Sequence, residues 1–352
     1  MRTKTLVVGG DGVASAAIKE AAGILASGGL VAFPTETVYG VGANAGDAAA
    51  VERLRALKGR PEGKPFSVHI ADRAELADLV NPVPVIAQKL MDKFWPGPLT
   101  IVFGRSDDAV GVRLPSHEIA AAFLRACGVP VVAPSANLAG EAPAISADEV
   151  SAALGGRVDA ILDGGDAPLG QPSTVVRVWR TGWDVLREGA VPSAEVERAL
   201  RRNIVFVCTG NSCRSPIAAA LCREMLAKHL RVEEDDLEAM GYEVLSAGTA
   251  AAGGGRASES ALAAAADAGL DVSCHRSQRL TAEMLERADR VYAMNEHHAA
   301  AARDICPGAA GRIELLDPDG GTIEDPIGLP LESFRGVVRH MRRCVERRVT
   351  EL

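Results

Sequence analysis

The chain has 352 residues, of which 47% are hydrophobic and 24% are charged, and its formal net charge is −8. This length excludes a single small core and favours two domains, and the composition is typical of a soluble globular protein. Residues 1–200 and 201–352 each contain 19 basic and 23 acidic residues, so neither half has the basic excess of a duplex-binding protein. No apolar run reaches the roughly 20 residues of a membrane span.

The cysteines and the first residues of the chain indicate the cellular compartment in which the protein is expected. Seven cysteines are an odd number without regular spacing, which favours reduced thiols over a disulfide framework. The opening stretch "MRTKTLVVGGDGVASAA" breaks at Gly9–Asp11, too early for the apolar region of a secretory signal. We therefore expect a cytoplasmic protein with no membrane partner.

Residues 1–192 alternate short β-branched runs with helical patterns. The alternation predicts an α/β domain with a mixed, twisted sheet. Strands are expected within "LVAFPT", "FSVHI", "LTIVF", "VPVVAP", "AILDGG" and "STVVRV", and helices within "AAVERLRALKG" and "IAAAFLRACG".

A second α/β pattern begins after a short helical stretch. Residues 193–202 follow Pro192 and predict a linker helix. Residues 203–352 then restart with a strand, a helix to about 230, "YEVLSAGT", a helix near 258–268, "RVYAMN" and a last helix from Leu331. This order predicts a doubly wound, parallel, four-stranded sheet with its site at the carboxyl ends of the strands.

The first strand of this second domain runs into "CTGNSCRSP" and then into a helix pattern. The N–H groups of such a turn and the N-terminus of the helix bind anions, and their positive potential favours the thiolate of Cys208 as a nucleophile. Arg214 can bind two phosphate oxygens with its planar fork, and Asp325 in "IEDPIG" can act as the general acid. The other predicted loop members are Ser215, which can donate to the thiolate, and Thr209, Gly210, Asn211, Ser212 and Cys213.

Some residues near this loop allow two interpretations. Cys213 could capture oxidised Cys208 as a disulfide, or it could be a packed side chain. His297 and His298 could bind a metal, but a solvated helix start is favoured, and the arginine-rich tail is interpreted as the solvated face of the last helix. No further ligands at zinc spacing accompany the loop cysteines. The remaining cysteines are interpreted as packing residues: Cys127, Cys222, Cys274, Cys306 and Cys344.

From Asn203 onward the sequence resembles the low-molecular-weight protein-tyrosine phosphatase family, through this loop, "SAGT", "HRSQ" and the downstream Asp-Pro. The resemblance implies attack of Cys208 on phosphorus, a phosphocysteine intermediate, and Asp325 as acid and then base, with no cofactor. Its partner would be a phosphorylated protein. The loop would be braced by hydrogen bonds from Asn211, Ser215, Ser246 and His275.

Two positions bear on which phosphoprotein is the substrate. Tyrosine-directed members usually carry a bulky aliphatic residue where this chain has Ser212, whereas members that act on phosphoarginine carry a small threonine. A small polar wall leaves room for a planar guanidinium. Ile327 departs from both groups, which usually have an aromatic residue there. Phosphoarginine is slightly favoured over phosphotyrosine, and an arsenate-reducing or small-molecule role is a third alternative.

Three stretches of the first domain carry hydroxyls, cations and an amide. They are "FPTETVYGVG", "LKGRPEGKPFSVHI" and "VVAPSANLAG". Such groups at strand ends suit a nucleotide polyphosphate, although no G-x₄-G-K-[ST] loop is present and "VVGGDGVASA" is interpreted as a plain strand turn. A structural domain with cationic loops is the alternative for each residue taken singly.

Taken in order, these pieces resemble the threonylcarbamoyl-AMP synthase family (YrdC-like domain), together with "WPGPLT", "VRLPSH", "STVV" and "LREG". The resemblance implies synthesis of threonylcarbamoyl-AMP from L-threonine, bicarbonate and ATP with Mg²⁺ and release of pyrophosphate. A partner tRNA threonylcarbamoyl transferase would then modify adenosine 37 of tRNA. The implied residues are Lys58, Arg60, Ser135 and Asn137 at the nucleotide, with Arg113, Ser173 and Arg187 as further candidates, and Thr35, Thr37 and Tyr39 at the threonine.

The same fold could instead serve as a non-catalytic RNA-binding module, with tRNA as its partner. The negative charge of this half and its few aromatic residues count against that alternative, because single-stranded nucleic acid is bound on aromatic stacking platforms.

Overall fold

A computed structural model describes residues 2–9, 16–61, 64–106 and 109–351. The chain divides into two compact units, Met1–Leu200 and Arg201–Leu352. Both are α/β, as predicted. The strands of the first unit are β1 (Lys4–Val7), β2 (Val31–Phe33), β3 (Gly40–Asn44), β4 (Val68–His69), β5 (Leu99–Phe103), β6 (Val110–Arg113), β7 (Val131–Val132), β8 (Ala160–Asp163), β9 (Thr174–Trp179) and β10 (Gly182–Arg187), and its helices are α1 (Ala16–Ala26), α2 (Ala48–Lys58), α3 (Val85–Phe94), α4 (Glu118–Cys127), α5 (Ala147–Leu154) and α6 (Ser193–Leu200).

The described strands of the first unit form one mixed sheet in the order β1-β8-β2-β3-β7-β4-β6-β5-β9-β10. Alternate residues of its central strands face opposite sides. Val31 and Phe33 of β2 pack with α1 and α4, whereas Ala32 packs on the other side with α2 and α5. Helices therefore cover both faces, and the polar loops collect at the strand ends.

Helix α2 shows how local sequence positions a candidate residue. Its N-terminus is capped by Asp47, whose carboxylate accepts from two backbone N–H groups. Its C-terminus is closed by Gly59, whose φ of 55° is in the left-handed region that glycine tolerates. Lys58 is thus the last residue of a helix with a defined end, and Arg60 begins the loop that follows.

The second unit contains β11 (Arg202–Cys208), β12 (Tyr242–Gly248), β13 (Arg290–Ala293) and β14 (Ile313–Leu315). Among the described residues these strands are all parallel, in the order β12-β11-β13-β14. The chain passes from β11 to β12 on one side and later to β13 on the other, so the end of β11 is a topological switch point. The helices are α7 (Arg214–Leu230), α8 (Asp236–Ala239), α9 (Glu259–Asp267), α10 (Ala282–Arg287), α11 (Glu296–Ile305) and α12 (Leu331–Val349).

The core of the second unit lies on both faces of this sheet. Val205 and Val207 of β11 pack with α10 and α11 on one face. Helices α7, α9 and α12 contact one another, and α7 packs along β11 and β12. This doubly wound arrangement confirms the predicted fold class.

Several expectations about individual segments change in the structure. Helix α6 belongs to the first unit, with Val196 and Leu200 fully buried. The division into domains 1–192 and 203–352 with a separate linker at 193–202 stays a proposal. Cys274 is exposed rather than packed. His298 is buried at 1% exposure, so only His297 fits a solvated helix start. Within the described residues, no helix is long and apolar enough to cross a bilayer. The "VVGGDGVASA" turn lies largely outside the described residues.

Candidate active sites

A cavity of about 550 Å³ opens in the first unit at the ends of the central strands. Its described lining contains seven cationic side chains and no acidic one. A concave surface of one charge sign attracts a ligand of the opposite sign even when the unit as a whole is negative. The predicted residues in the lining are Thr35, Tyr39, Lys58, Arg60, Arg113, Ser135, Ser173 and Arg187.

Lys58 is held against the Ser135–Asn137 turn. Its Nζ donates to the Ser135 carbonyl and to Oδ1 of Asn137, each at 2.9 Å, and also to the Asn137 carbonyl. Burial, with a smaller contribution from Arg60, lowers the pKa of Lys58 to about 8. Asn137 is not part of the lining. Its Oδ1 accepts from both Lys58 and Ser135, so these three residues form one connected group.

The turn that carries Thr35, Thr37 and Tyr39 is more enclosed than the sequence suggests. Oγ1 of Thr35 donates to the Val38 carbonyl at 2.6 Å and lies 2.9 Å from Oγ1 of Thr37. Thr37 is fully buried and does not line the cavity. The Tyr39 hydroxyl donates to the Gly165 carbonyl at 2.7 Å, and burial raises its pKa to about 12. Thr35 and Tyr39 therefore remain in the cavity lining with hydroxyls that already donate to backbone carbonyls, while Thr37 is enclosed and does not reach the cavity.

A buried ion pair joins Arg113 of the cavity lining to Glu36, which is not part of the lining. Nη2 of Arg113 is 2.8 Å from Oε1 of Glu36, and both side chains are almost fully buried. Within the described residues, Oε2 of Glu36, Nε of Arg113 and Nδ1 of the nearby His69 have no hydrogen-bond partner. Burial, and then the charge of Arg113, lowers the pKa of His69 to about 3, so its imidazole is neutral at physiological pH.

Sequence reasoning missed two of the cavity cations, and it noted Lys64 without making it a candidate. Arg105 follows β5 and stacks on the Trp179 ring at 4.7 Å. Arg177 is on β9, whose alternating burial places it away from the core. Each looks like an ordinary solvated cation in the sequence.

Ser173 anchors Arg187 at the cavity. Its carbonyl accepts from Nη2 of Arg187 at 2.7 Å, and its hydroxyl lies 2.9 Å from Oγ1 of Thr100.

The described lining contains no carboxylate for magnesium, and Glu36, which lies outside the lining, is paired with Arg113. Mg²⁺ is usually held by carboxylates and substrate phosphates. The residues present therefore do not form a protein magnesium site, and the ion would enter this cavity only as its nucleotide complex.

In the second unit, Cys208 ends the central strand β11 and the following loop leads directly into α7. Its Sγ accepts from the Asn211 N–H at 3.3 Å and lies 2.9 Å from Oγ of Ser215. Because Nδ2 of Asn211 already donates to that oxygen, the Ser215 hydroxyl proton can point at sulfur. The Asn211 N–H, the Ser215 hydroxyl and the N-terminus of α7 therefore all face the Cys208 sulfur.

Asn211 organises the loop. Its φ of 52° is in the left-handed region, and its Nδ2 donates to Ser215 and Ser246 at 2.9 Å each. Its Oδ1 accepts from the Gln278 N–H at 2.8 Å, and its carbonyl accepts from Nε2 of His275 at 2.7 Å. The structure therefore brings together the four residues expected to brace the loop and adds Gln278 to them.

Arg214 and Asp325 meet at the mouth of the loop. Nη2 of Arg214 is ion-paired with Oδ2 of Asp325, and Nη1 donates to the Ile323 carbonyl at 3.1 Å. Arg214 is buried, whereas the Asp325 side chain is 44% exposed. Ile327 is 69% exposed, so the missing aromatic residue is replaced by an apolar side chain on the surface beside the acid.

The other loop residues divide between the surface and the interior. Thr209 and Gly210 are exposed, and Ser212 is half-buried. Oγ1 of Thr209 contacts Nε2 of the buried His298 at 2.8 Å, a contact that the sequence did not indicate. Sγ of Cys213 lies 3.2 Å from Oγ of Ser258, as expected if Cys213 is a packed side chain. The redox role of Cys213 stays a prediction.

Together the fold and the two sites define an α/β chain with a cationic cavity in the first unit and, in the second, a cysteine-containing loop before a helix, Cys208–Ser215, here called the phosphate loop. Residues 23–189 match the family model for Sua5, YciO and YrdC proteins, described as "Telomere recombination", and residues 203–352 match "Low molecular weight phosphotyrosine protein phosphatase". Threonylcarbamoyl-AMP synthase of Halorhodospira halophila is 38% identical over 175 residues, 47% of this chain and 91% of that protein. The chain therefore belongs to the threonylcarbamoyl-AMP synthase family and continues into a low-molecular-weight phosphatase domain.

Two further relatives come from Pyrococcus abyssi. Its threonylcarbamoyl-AMP synthase is 42% identical over 195 residues, which are 52% of this chain and 57% of that protein. The chain thus spans little more than half the length of this relative. The solved structure of P. abyssi Sua5 complexed with L-threonine is similar with a TM-score of 0.52 and 28% identity, covering 70% of this chain and 92% of that one.

Proposed function

We propose that the first unit makes L-threonylcarbamoyl-AMP from L-threonine, bicarbonate and ATP. The observation that carries this proposal is the cavity, whose described lining has seven cations and no acid. A triphosphate, a carboxylate and bicarbonate are all anions, and one cavity of about 550 Å³ has the volume of a small-molecule site. A downstream tRNA threonylcarbamoyl transferase would use the product.

In this reaction an oxygen of the threonine carbamate attacks the α-phosphorus of ATP. The new P–O bond forms as the bond to the bridging oxygen breaks, and pyrophosphate leaves with the electron pair. Negative charge accumulates on the phosphoryl oxygens, so Arg60, Arg187 and the protonated Lys58 are the expected stabilising groups. Positioning supplies the rest of the catalysis, and Thr35, which is part of the cavity lining, would orient L-threonine.

The test is threonine-dependent release of pyrophosphate from ATP and bicarbonate. Lys58→Ala should lower the rate by about 10²–10³-fold, the usual cost of losing one oriented donor. Lys19→Ala, which removes an exposed lysine of α1, is the matched control and should be unchanged. If wild type shows salt-dependent tRNA binding but no threonine-dependent pyrophosphate, the RNA-binding alternative replaces this proposal.

We propose that the second unit hydrolyses phosphoprotein through a phosphocysteine. Sγ of Cys208 attacks phosphorus and forms an S–P bond while the bond to the leaving group breaks, and Asp325 gives its proton to the leaving atom. Water then attacks the phosphorus while Asp325 takes a proton from it, and the S–P bond breaks to release phosphate and regenerate the thiolate. Arg214 and the loop N–H groups would bind the equatorial oxygens.

Phosphoarginine is the slightly favoured substrate. Ser212 contributes a half-buried, small hydroxyl side chain to the loop, and a planar guanidinium needs both the space and a hydrogen-bond partner. A bulky aliphatic side chain at this position would fill that space and favour the flat apolar ring of phosphotyrosine instead.

The experiment compares phosphate release from phosphoarginine and phosphotyrosine peptides of the same sequence, with Cys208→Ser as the blank. Wild type should prefer phosphoarginine, Ser212→Thr should keep that preference, and Ser212→Leu should shift it toward phosphotyrosine by about tenfold or more. A wild-type preference for phosphotyrosine that Ser212→Leu does not change would assign the domain to tyrosine-directed phosphatases.

A further inference from the structure

Three side chains that the proposed reactions do not use meet in the second unit. Asp317 lies just after β14, and His340 and Cys344 are one turn apart on α12. One ligand atom from each lies within 4.8 Å of the other two, and Nε2 of His340 is 3.3 Å from Oδ2 of Asp317. We propose that Asp317, His340 and Cys344 bind a divalent transition metal, with Zn²⁺ as the expected ion.

The spacing of the three atoms is close to that of a tetrahedral site. Zinc bonds of about 2.0–2.3 Å place neighbouring ligands roughly 3.3–3.7 Å apart. The His340–Asp317 distance already has this value, so binding requires only that the Cys344 sulfur approach by about 1 Å or less. Residues four apart on a helix share one face, which presents the imidazole and the thiol to the same point.

The chemistry of the three ligands selects the metal. One carboxylate, one imidazole and one thiol suit zinc and cobalt, whereas magnesium and calcium prefer oxygen ligands alone. Cys344 is buried, while the His340 side chain is 34% exposed. Solvent can therefore reach the site from the histidine side and supply water as the fourth ligand.

The charges around the site allow a dication. Metal binding releases the thiol proton of Cys344 to solvent, and the resulting thiolate and the Asp317 carboxylate together contribute two negative charges, which balance the metal. Two neighbouring arginines are already neutralised by other acids, since Arg347 pairs with Asp319 at 2.7 Å and Arg348 pairs with Glu314 at 2.8 Å. Arg343 is exposed, so solvent screens its repulsion.

The proposed metal site joins the two segments that flank the Asp325 loop. Asp317 precedes the loop that carries Asp325, and His340 and Cys344 are on the helix that follows it. A Cβ at Gly321 would collide with Oδ2 of Asp317, so the loop backbone packs directly against the carboxylate. A bound metal would fasten both ends of the loop and raise the thermal stability of the second unit.

The experiment is a cobalt titration of the full chain followed by near-ultraviolet absorption. Cys208→Ser/Cys213→Ser is the reference variant, because it removes both thiols of the phosphate loop. We expect one equivalent of Co²⁺ with a thiolate-to-cobalt band, displacement by Zn²⁺, and no displacement by excess Mg²⁺. Adding Cys344→Ser should abolish the band, and adding His340→Gln or Asp317→Asn should weaken binding by more than about 100-fold, beyond the loss typical of outer-sphere partners.

Adding Cys274→Ser to the reference variant is the matched control, because Cys274 is the exposed thiol elsewhere in this unit, and it should change nothing. Circular dichroism of the metal-free variants checks folding, and His340→Gln supplies the test if Cys344→Ser does not fold. Absence of the band in the reference variant overturns the proposal. So does a band that survives in folded Cys344→Ser, a cobalt affinity that His340→Gln leaves unchanged, or a band that disappears with Cys274→Ser.

Discussion

The guanidinium of Arg214 is ion-paired with the carboxylate of Asp325, so a phosphate that binds Arg214 must compete with the expected general acid. Displacement of the carboxylate by a phosphoryl dianion would leave it beside the leaving group, where its proton is needed. The Arg214–Asp325 contact therefore couples substrate binding to the position of the general acid. An experiment can separate two roles of Asp325, which are proton transfer and positioning of Arg214.

We expect Asp325→Asn to lower kcat by about 10²–10⁴-fold, the usual contribution of general acid catalysis, without raising KM, because the competing charge is removed. The loss should be greater for phenyl phosphate than for p-nitrophenyl phosphate, whose leaving group needs no proton. Asp304→Asn, an exposed aspartate of α11, should behave as wild type. Equal losses on both substrates would mean that Asp325 acts by positioning Arg214 and does not transfer a proton.

Asn211 combines a left-handed backbone with a fully hydrogen-bonded, buried side chain. We expect Asn211→Ala to destabilise the second unit by about 2–4 kcal/mol, since it leaves buried partners unsatisfied and keeps the backbone strain. Asn211→Gly relieves the strain but not the lost bonds, and should recover about 1 kcal/mol of this. Calorimetry is the suitable measurement, because all three tryptophans are in the first unit and their fluorescence does not monitor the second.

Both variants should also lose phosphatase activity, because the Asn211 N–H and Ser215 both face the Cys208 sulfur. If Asn211→Gly were as stable and active as wild type, the side-chain bonds would have no role beyond permitting the positive φ.

The sequence predicted the strand–loop–helix connection at Cys208 correctly because its parts are contiguous. Cys208 to Ser215 occupy a single strand–loop–helix connection, and regular α/β alternation identifies that connection without knowledge of the rest of the fold. The braces around it are different. Ser246 and Gln278 reach Asn211 from 35 and 67 residues away, and only a resemblance to a known family could link Ser246 to the loop in advance.

The cavity of the first unit was less accessible to sequence reasoning. β4 and β7 have two residues each, too few for a periodic pattern, so the order of the ten strands could not be derived. Arg105 and Arg177 reach the cavity only because β5 and β9 are neighbours in that sheet. The enclosed hydroxyls of Thr37 and Tyr39 likewise depend on contacts distant in sequence, such as Tyr39 with Gly165.

The lowered pKa of Lys58, about 8, predicts that the proposed ATP binding is sensitive to mild alkali. Below this pKa the side chain is protonated and attracts phosphate, and above it the attraction is lost. We therefore expect the KM for ATP in pyrophosphate release to rise as the pH passes about 8 and on to about 9. Lys58→Arg should abolish this rise, because a guanidinium stays charged. A rise that persists in Lys58→Arg would assign the titration to another group.

The lowered pKa of His69, about 3, predicts acid sensitivity of the first unit. The folded state holds the imidazole neutral, whereas the unfolded chain takes up a proton below its ordinary pKa of about 6.5. Stability is therefore complete above about 6.5 and decreases as the pH falls toward 3, by about 2 kcal/mol at about pH 5.

Urea unfolding followed by tryptophan fluorescence measures this effect, because Trp95, Trp179 and Trp183 all belong to the first unit. His69→Asn removes the titrating group, so its stability should depend less on pH by about 2 kcal/mol between about pH 7.5 and 5. His117→Asn is the comparison, because His117 is only half-buried and caps α4, and asparagine caps helices well. If wild type and His69→Asn lose equal stability on acidification, the buried imidazole does not stay neutral and its environment is more polar than the packing indicates.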